Sequence, residues 1–147
     1  MILGRLLLGF VLLAIAIQLI RPARTNPPEN PAKTIYASLK VDPALMPILE
    51  RSCKDCHSNR TVWPWYSGVA PASWMVIHHV NEGREKMNFS EWGGYDADQT
   101  QAFLGRMCRE VSQDHMPLSS YTLIHRNAFL SDADRQAICN WTQRVAH

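Results

Sequence analysis

Apolar and polar positions divide the chain into three stretches. From Leu6 to Ile20 nearly every residue is apolar, broken only by Gly9 and Gln18, with Arg5 before the run and Arg21 and Arg24 closing it. The run is shorter than the roughly 20 residues of a typical spanning helix and has the shape of a signal-peptide core. Arg21-Pro22-Ala23-Arg24 is a poor small-x-small cleavage site, so an uncleaved anchor over residues 1–20 is favoured over a removed signal. Starting the helix at Ile2 gives it almost enough length to span, while arginines on both sides leave its orientation open. Residues 21–33 carry Pro22, Pro27, Pro28 and Pro31 among polar residues. Proline fixes φ and removes backbone donors, so this stretch reads as an extended, semi-rigid linker.

Residues 34–147 form one small domain in which strand signals are weak and helical ones recur. Pro47 opens a first helix, on which Ile48, Leu49, Ser52, Cys53 and Cys56 fall at three- and four-residue intervals on one inward face. An aromatic loop follows from Asn59 to Ala70. Pro71 starts a second helix carrying Trp74, Ile77, His78 and Met87, weakened later by Gly83. After the Gly93-Gly94 turn, Asp96 or Asp98 caps a third helix reaching about Ser112, with Phe103, Leu104, Met107, Cys108 and Val111 at helical spacing. An irregular segment spans His115 to Leu130. Ser131-Asp132-Ala133-Asp134 then gives a capping-box-like start to a last helix through Ile138 and Trp141 to Val145. The expected fold is all-α: about four helices around one cofactor, preceded by the N-terminal hydrophobic helix.

The cofactor is read from Cys53-Lys54-Asp55-Cys56-His57, the Cys-x-x-Cys-His form that attaches a c-type haem. Two cysteines three apart on a helix share a face, so both thiols reach the two vinyl groups along one side of a porphyrin. The histidine that follows brings its imidazole over the ring to bind iron. A dithiol redox motif or half of a zinc site would use the same two cysteines, but neither calls for the trailing histidine. Haem attachment needs the domain outside the cytoplasm, and that requirement orients the anchor. A large apolar cofactor also eases the burial problem of so small a domain.

His57 supplies one axial bond, and Met116-Pro117 is the leading source of the other. A thioether is a soft neutral ligand that raises the potential when paired with histidine, and Pro117 keeps Met116 out of helical geometry. Met116 filling a core gap is the bland alternative. His125, nine residues on, is the main rival; His115, His79 and His78 are others, and only one of the adjacent pair His78 and His79 can face iron. An open sixth site would favour gas binding or peroxide chemistry.

Read together, these residues resemble the bacterial haem-binding-domain family of small, membrane-anchored c-type proteins. The likeness rests on Cys53-x-x-Cys56-His57-Ser58-Asn59, on Trp63-Pro64-Trp65-Tyr66-Ser67-x-Val69-Ala70-Pro71, and on Trp74. It continues through His79-Val80-x-Glu82-Gly83-Arg84, Asn88-Phe89-Ser90-x-Trp92, Met116-Pro117-Leu118-x-x-Tyr121 and His125, ending near Trp141. His125-Arg126-Asn127 departs from the His-Pro-Asp expected there. The resemblance implies one covalent haem c on Cys53 and Cys56 with His57 as proximal ligand, and says little about a partner.

The remaining features refine this picture. Cys108 and Cys139 form an even residual pair in an exported domain, readable as a disulfide or as two buried thiols. Trp63, Trp65, Tyr66, Trp74, Trp92 and Tyr121 are candidates for the wall of the haem pocket, and Arg84 and Lys86 for its propionates. A net charge of +2 on 147 residues is too mild to point to nucleic acid. The reading favours a mono-haem electron carrier over an enzyme, without settling that question, tethered to the bacterial cytoplasmic membrane with its haem domain on the periplasmic side and an unidentified redox partner protein. A haem-based gas or redox sensor or peroxidase with an open sixth iron site is the alternative, and a dithiol oxidoreductase the weakest of the three.

Overall fold

The computed structural model describes residues 2–146, and among them every regular element is helical. Helix α1 (Ile2–Ala16) runs on through a 3-10 turn at Ile17–Leu19. This apolar stretch has a mean hydropathy of 2.3 and no buried residue, and is long and apolar enough to cross a membrane. A signal sequence has the same character.

The proline-rich stretch does not hang free. Arg84 donates to Thr25 O at 2.7 Å and to Asn26 Oδ1 at 3.0 Å, Asn26 Nδ2 donates to Thr61 O at 2.9 Å, and the Ser90 hydroxyl donates to Glu29. Prolines that cannot bond to one another through backbone donors leave their carbonyls and neighbours available to the domain, which takes them up.

Helix α2 (Ile35–Ser38) is a single turn capped by Thr34, whose Oγ1 accepts from Ala37 N. Helix α3 (Met46–Ser52) carries Pro47 in its first turn, as expected. The expected continuous helix through both motif cysteines is instead broken at Cys53, whose φ of −124° lies well outside helical geometry. A one-turn helix α4 (Lys54–His57) follows, held by His57 N donating to Cys53 O at 3.0 Å. The break lets Leu49 stay in the core while Cys56 and His57 turn elsewhere.

Helix α5 (Ala72–Lys86) packs on α4 and on the 3-10 turn Trp65–Gly68. Helix α6 (Ala97–Ser112) starts with a capping box in which Asp96 and Gln99 bond each other's backbone. The irregular segment holds only the one-turn α7 (Ser119–Thr122) and a 3-10 turn at Arg126–Ala128. Helix α8 (Asp132–Val145) opens with the box formed by Ser131 and Asp134, and packs along α6. The Cys108 and Cys139 side chains, open between a bond and two thiols in the sequence, are joined as a disulfide between these two helices. Fully buried Ile35, Leu49, Leu104, Leu130 and Ile138 surround Trp92 and Trp141, and Trp141 Nε1 donates to Lys40 O at 3.0 Å.

Asp134 ties α8 to the motif-bearing helix, since Arg51 Nη2 donates to its Oδ2 at 2.7 Å. Its desolvation opposes ionisation, but hydrogen bonds from Ser131 and the Arg51 charge outweigh that and hold its pKa below the usual value. An acid with a depressed folded pKa stabilises the fold above its unfolded pKa, and that contribution is lost as pH falls through the folded value. The urea midpoint should therefore drop as pH is lowered below about 4, the ordinary aspartate value. Asp134→Asn should start lower at neutral pH and fall less over the same range; parallel curves would contradict the assignment.

Candidate haem site

Both motif thiols, Cys53 and Cys56, are unpaired and line one cavity of about 550 Å³. Cofactor sites span roughly 300–1,000 Å³, so this one is of suitable size. The wall comes from the α3–α4 junction, the loop from Thr61 to Tyr66, one face of α5 with Met87 and Phe89 after it, Met107 and Val111 of α6, and the segment from Met116 to His125.

His57 ends α4, with Nδ1 at 3.0 Å from the backbone oxygen of Met87. A carbonyl can only accept, so Nδ1 carries the proton and Nε2 keeps its lone pair. Burial holds the imidazole pKa below its usual value, against backbone hydrogen bonds to Met87 and Gly83 that raise it. The result is a neutral ring with one basic nitrogen uncommitted, the state a metal ligand requires. Phe89 stacks beside it at 6.1 Å, and Phe89 N donates to His57 O at 2.7 Å.

The rest of the motif is pinned as firmly. Asp55 accepts from Val62 N at 3.1 Å and from the Tyr121 hydroxyl at 2.9 Å, while its own carbonyl accepts from Thr61 Oγ1 at 2.7 Å. Arg84 Nε donates to Ser58 O at 2.7 Å. Burial pushes the Cys53 thiol up to about 12, helped by the neighbouring Cys56, and the Cys56 thiol up to about 11, helped by Asp55. Reactive dithiols have depressed pKa values, so this pair lacks the electrostatics of a disulfide oxidoreductase.

Glycine at position 83 lets α5 approach. A Cβ built there would lie 2.6 Å from the Cys56 carbonyl oxygen and 3.1 Å from its carbon. What reads in the sequence as a weak point in the helix is the place where helix and haem motif touch.

Met116 lines the cavity and packs against the core. Among its rivals, His125 and His79 line the cavity and His78 and His115 do not. His78 is exposed beside Glu82 at 3.5 Å, and His115 bonds Glu110 at 3.2 Å. His125 is held by its neighbours: Nε2 sits 2.6 Å from the Tyr66 hydroxyl, and the ring stacks on Tyr121 with centroids 4.3 Å apart.

Of the aromatic candidates, Tyr66 and Tyr121 line the cavity and the tryptophans do not. Trp65 points into solvent, Trp63 is half-buried away from the cavity, and Trp74 Nε1 donates to Ile20 O at 2.8 Å. Trp92 belongs to the core, stacked edge-on with Phe89 and Tyr95. Arg84 is committed to Ser58, Thr61 and the N-terminal stretch, so it is not available to propionates; Lys86 is at the cavity. Sequence reasoning missed Met75, Val76 and Val80 on α5, which with His79 and Gly83 form its cavity face at three- and four-residue spacing.

Two thiols and a free imidazole nitrogen at one cavity lined largely by apolar side chains fit a porphyrin whose iron takes a nitrogen ligand. No curated protein and no solved structure matches the chain. A family profile described as Haem-binding domain matches residues 12–144. That match makes the chain a member of the haem-binding-domain family, a protein that binds haem.

Proposed function

We propose that the chain carries one covalent haem c and exchanges single electrons at the outer face of the cytoplasmic membrane. The observation that carries this is the convergence of both motif thiols and the uncommitted His57 Nε2 on one cavity. Cys53 and Cys56 would hold the haem covalently, each Sγ–H adding across one vinyl C=C so that a sulfur–carbon bond would form and the thiol hydrogen would pass to the neighbouring carbon, with no net oxidation. When bound, haem supplies the one-electron ferric–ferrous couple. His57 would hold the iron through Nε2, its ring oriented by the Met87 carbonyl, and Met116 would offer its thioether as a second ligand. Phe89, Val80 and Met107 exclude water and keep the local dielectric low, one of the levers on potential. The apolar α1 anchors the domain, which lies on the periplasmic side where haem attachment takes place.

Protein matured in a bacterium able to attach haem should retain its pigment through acid–acetone extraction and give a reversible one-electron couple in cyclic voltammetry. Pigment that is wholly extracted would remove the covalent reading, and absence of the couple would remove the carrier reading. Met116→Ala should abolish the charge-transfer band of sulfur bonded to ferric iron. It should also lower the potential on the order of 0.1 V, a fraction of the roughly 0.8 V range that axial ligands command. An unchanged spectrum would mean that Met116 only packs the wall.

The hydrogen-bonded pair of Tyr66 and His125 on the cavity wall favours a second reading, in which a small ligand is held at an open sixth site. Rapid carbon monoxide binding to the reduced protein would support that reading, and inert six-coordinate iron would exclude it.

A further inference from the structure

The one amide in the apolar run has a partner in the domain. Gln18 Nε2 donates to Ala70 O at 3.1 Å, and Ala70 N donates to Gln18 Oε1 at 3.0 Å, so the side chain pairs with the backbone as a strand would. Two residues on, Ile20 O accepts from Trp74 Nε1. With the contacts of Arg84 and Ser90 to the stretch that follows, the end of the hydrophobic helix and the haem domain form one unit.

These contacts fix which side of the domain adjoins the helix end: the 3-10 turn at Trp65–Gly68 and the start of α5. That side carries Trp65, Val69 and Met75 at 82%, 45% and 46% exposure, large apolar side chains left largely open to solvent, with Trp65 touching Tyr66 edge-on. Tryptophan is enriched where bilayer meets water, because its ring is apolar and its N–H needs a polar neighbour. Arg21 and Arg24, just beyond the helix end, are suited to anionic headgroups.

We propose that the face formed by Trp65, Val69 and Met75 rests in the headgroup–acyl boundary of the bilayer crossed by the N-terminal helix. Met75 also lines the haem cavity, so the contact holds the cavity beside the membrane in one orientation. The occupant is lipid because the face continues directly from a helix end at the membrane surface. This proposal rests on the anchor reading above.

The test uses full-length, haem-loaded protein in nanodiscs of phosphatidylcholine and phosphatidylglycerol, with Trp65→benzoylphenylalanine as photocrosslinker. Gln136→benzoylphenylalanine, at an exposed position of α8, is the control. Irradiation should add a phospholipid mass at position 65 and none at 136. No lipid adduct at 65, an adduct to protein there, or equal lipid adducts at both positions would overturn the proposal. Carbonate extraction of native membranes separates this from failure of the anchor: protein that stays in the membrane without a lipid adduct at 65 keeps its anchor and loses only the resting face. Protein released by carbonate loses both.

Discussion

Gly83→Ala should destabilise the protein by about 2 kcal/mol and lower the fraction recovered with haem. Overpacking a close contact costs roughly 1–3 kcal/mol, and the higher helix propensity of alanine returns only about 1 kcal/mol of it. The upper end of the cost applies, because the obstacle is the Cys56 main chain and not the far end of a flexible side chain. Relief requires α5 to back away from α4, and the same helix ends at Met87, whose carbonyl orients His57. Gly105→Ala on α6 is the control: nothing lies within 4 Å of a Cβ there, so it should stabilise by about 0.5–1 kcal/mol. Urea denaturation measures both. Two substitutions of the same sign would mean that the approach of α5 to Cys56 is not the constraint described.

The second large effect belongs to the bond between α6 and α8. Cys108 and Cys139 are 31 residues apart, and closing a loop of that size in the unfolded chain is worth about 3–4 kcal/mol. The double variant Cys108→Ser, Cys139→Ser should lose that much by chemical denaturation, with haem attachment chemistry untouched. Since Met107 and Val111 of α6 line the haem cavity, the variant should also lose haem-loaded yield. Alkylation of non-reduced parent protein at two sites outside the haem motif would show that the bond is absent. Such a loss matters in a domain this small, where a few kcal/mol separate folded from unfolded.

What could be read from the chain beforehand follows from how local each signal is. The boxes at Asp96–Gln99 and Ser131–Asp134 close within three residues, so residue types alone reveal them. The haem motif is equally compact. The cavity face of α5 was harder, because Trp74 and Ile77 make an apolar stripe as plausible as Met75, Val76, His79 and Val80. Trp74 is claimed by Ile20, a carbonyl 54 residues earlier, and no local pattern announces that. Gln18 and Gly83 share this character: each looks like a flaw in its own helix and makes sense only against a distant segment. The break at Cys53 was hidden because helical spacing continues across it while the backbone at Cys53 leaves helical geometry.

The acceptor that orients His57 is the peptide oxygen of residue 87 and belongs to no side chain. Every replacement of Met87 short of one that moves the backbone leaves that oxygen in place, so mutation at 87 alters the packing of the wall without rotating the imidazole. The electron density pushed toward Nε2 by this bond is therefore a constant of the main-chain path, and random substitution has little purchase on it. Engineers wishing to retune this haem have the opposite wall to work with.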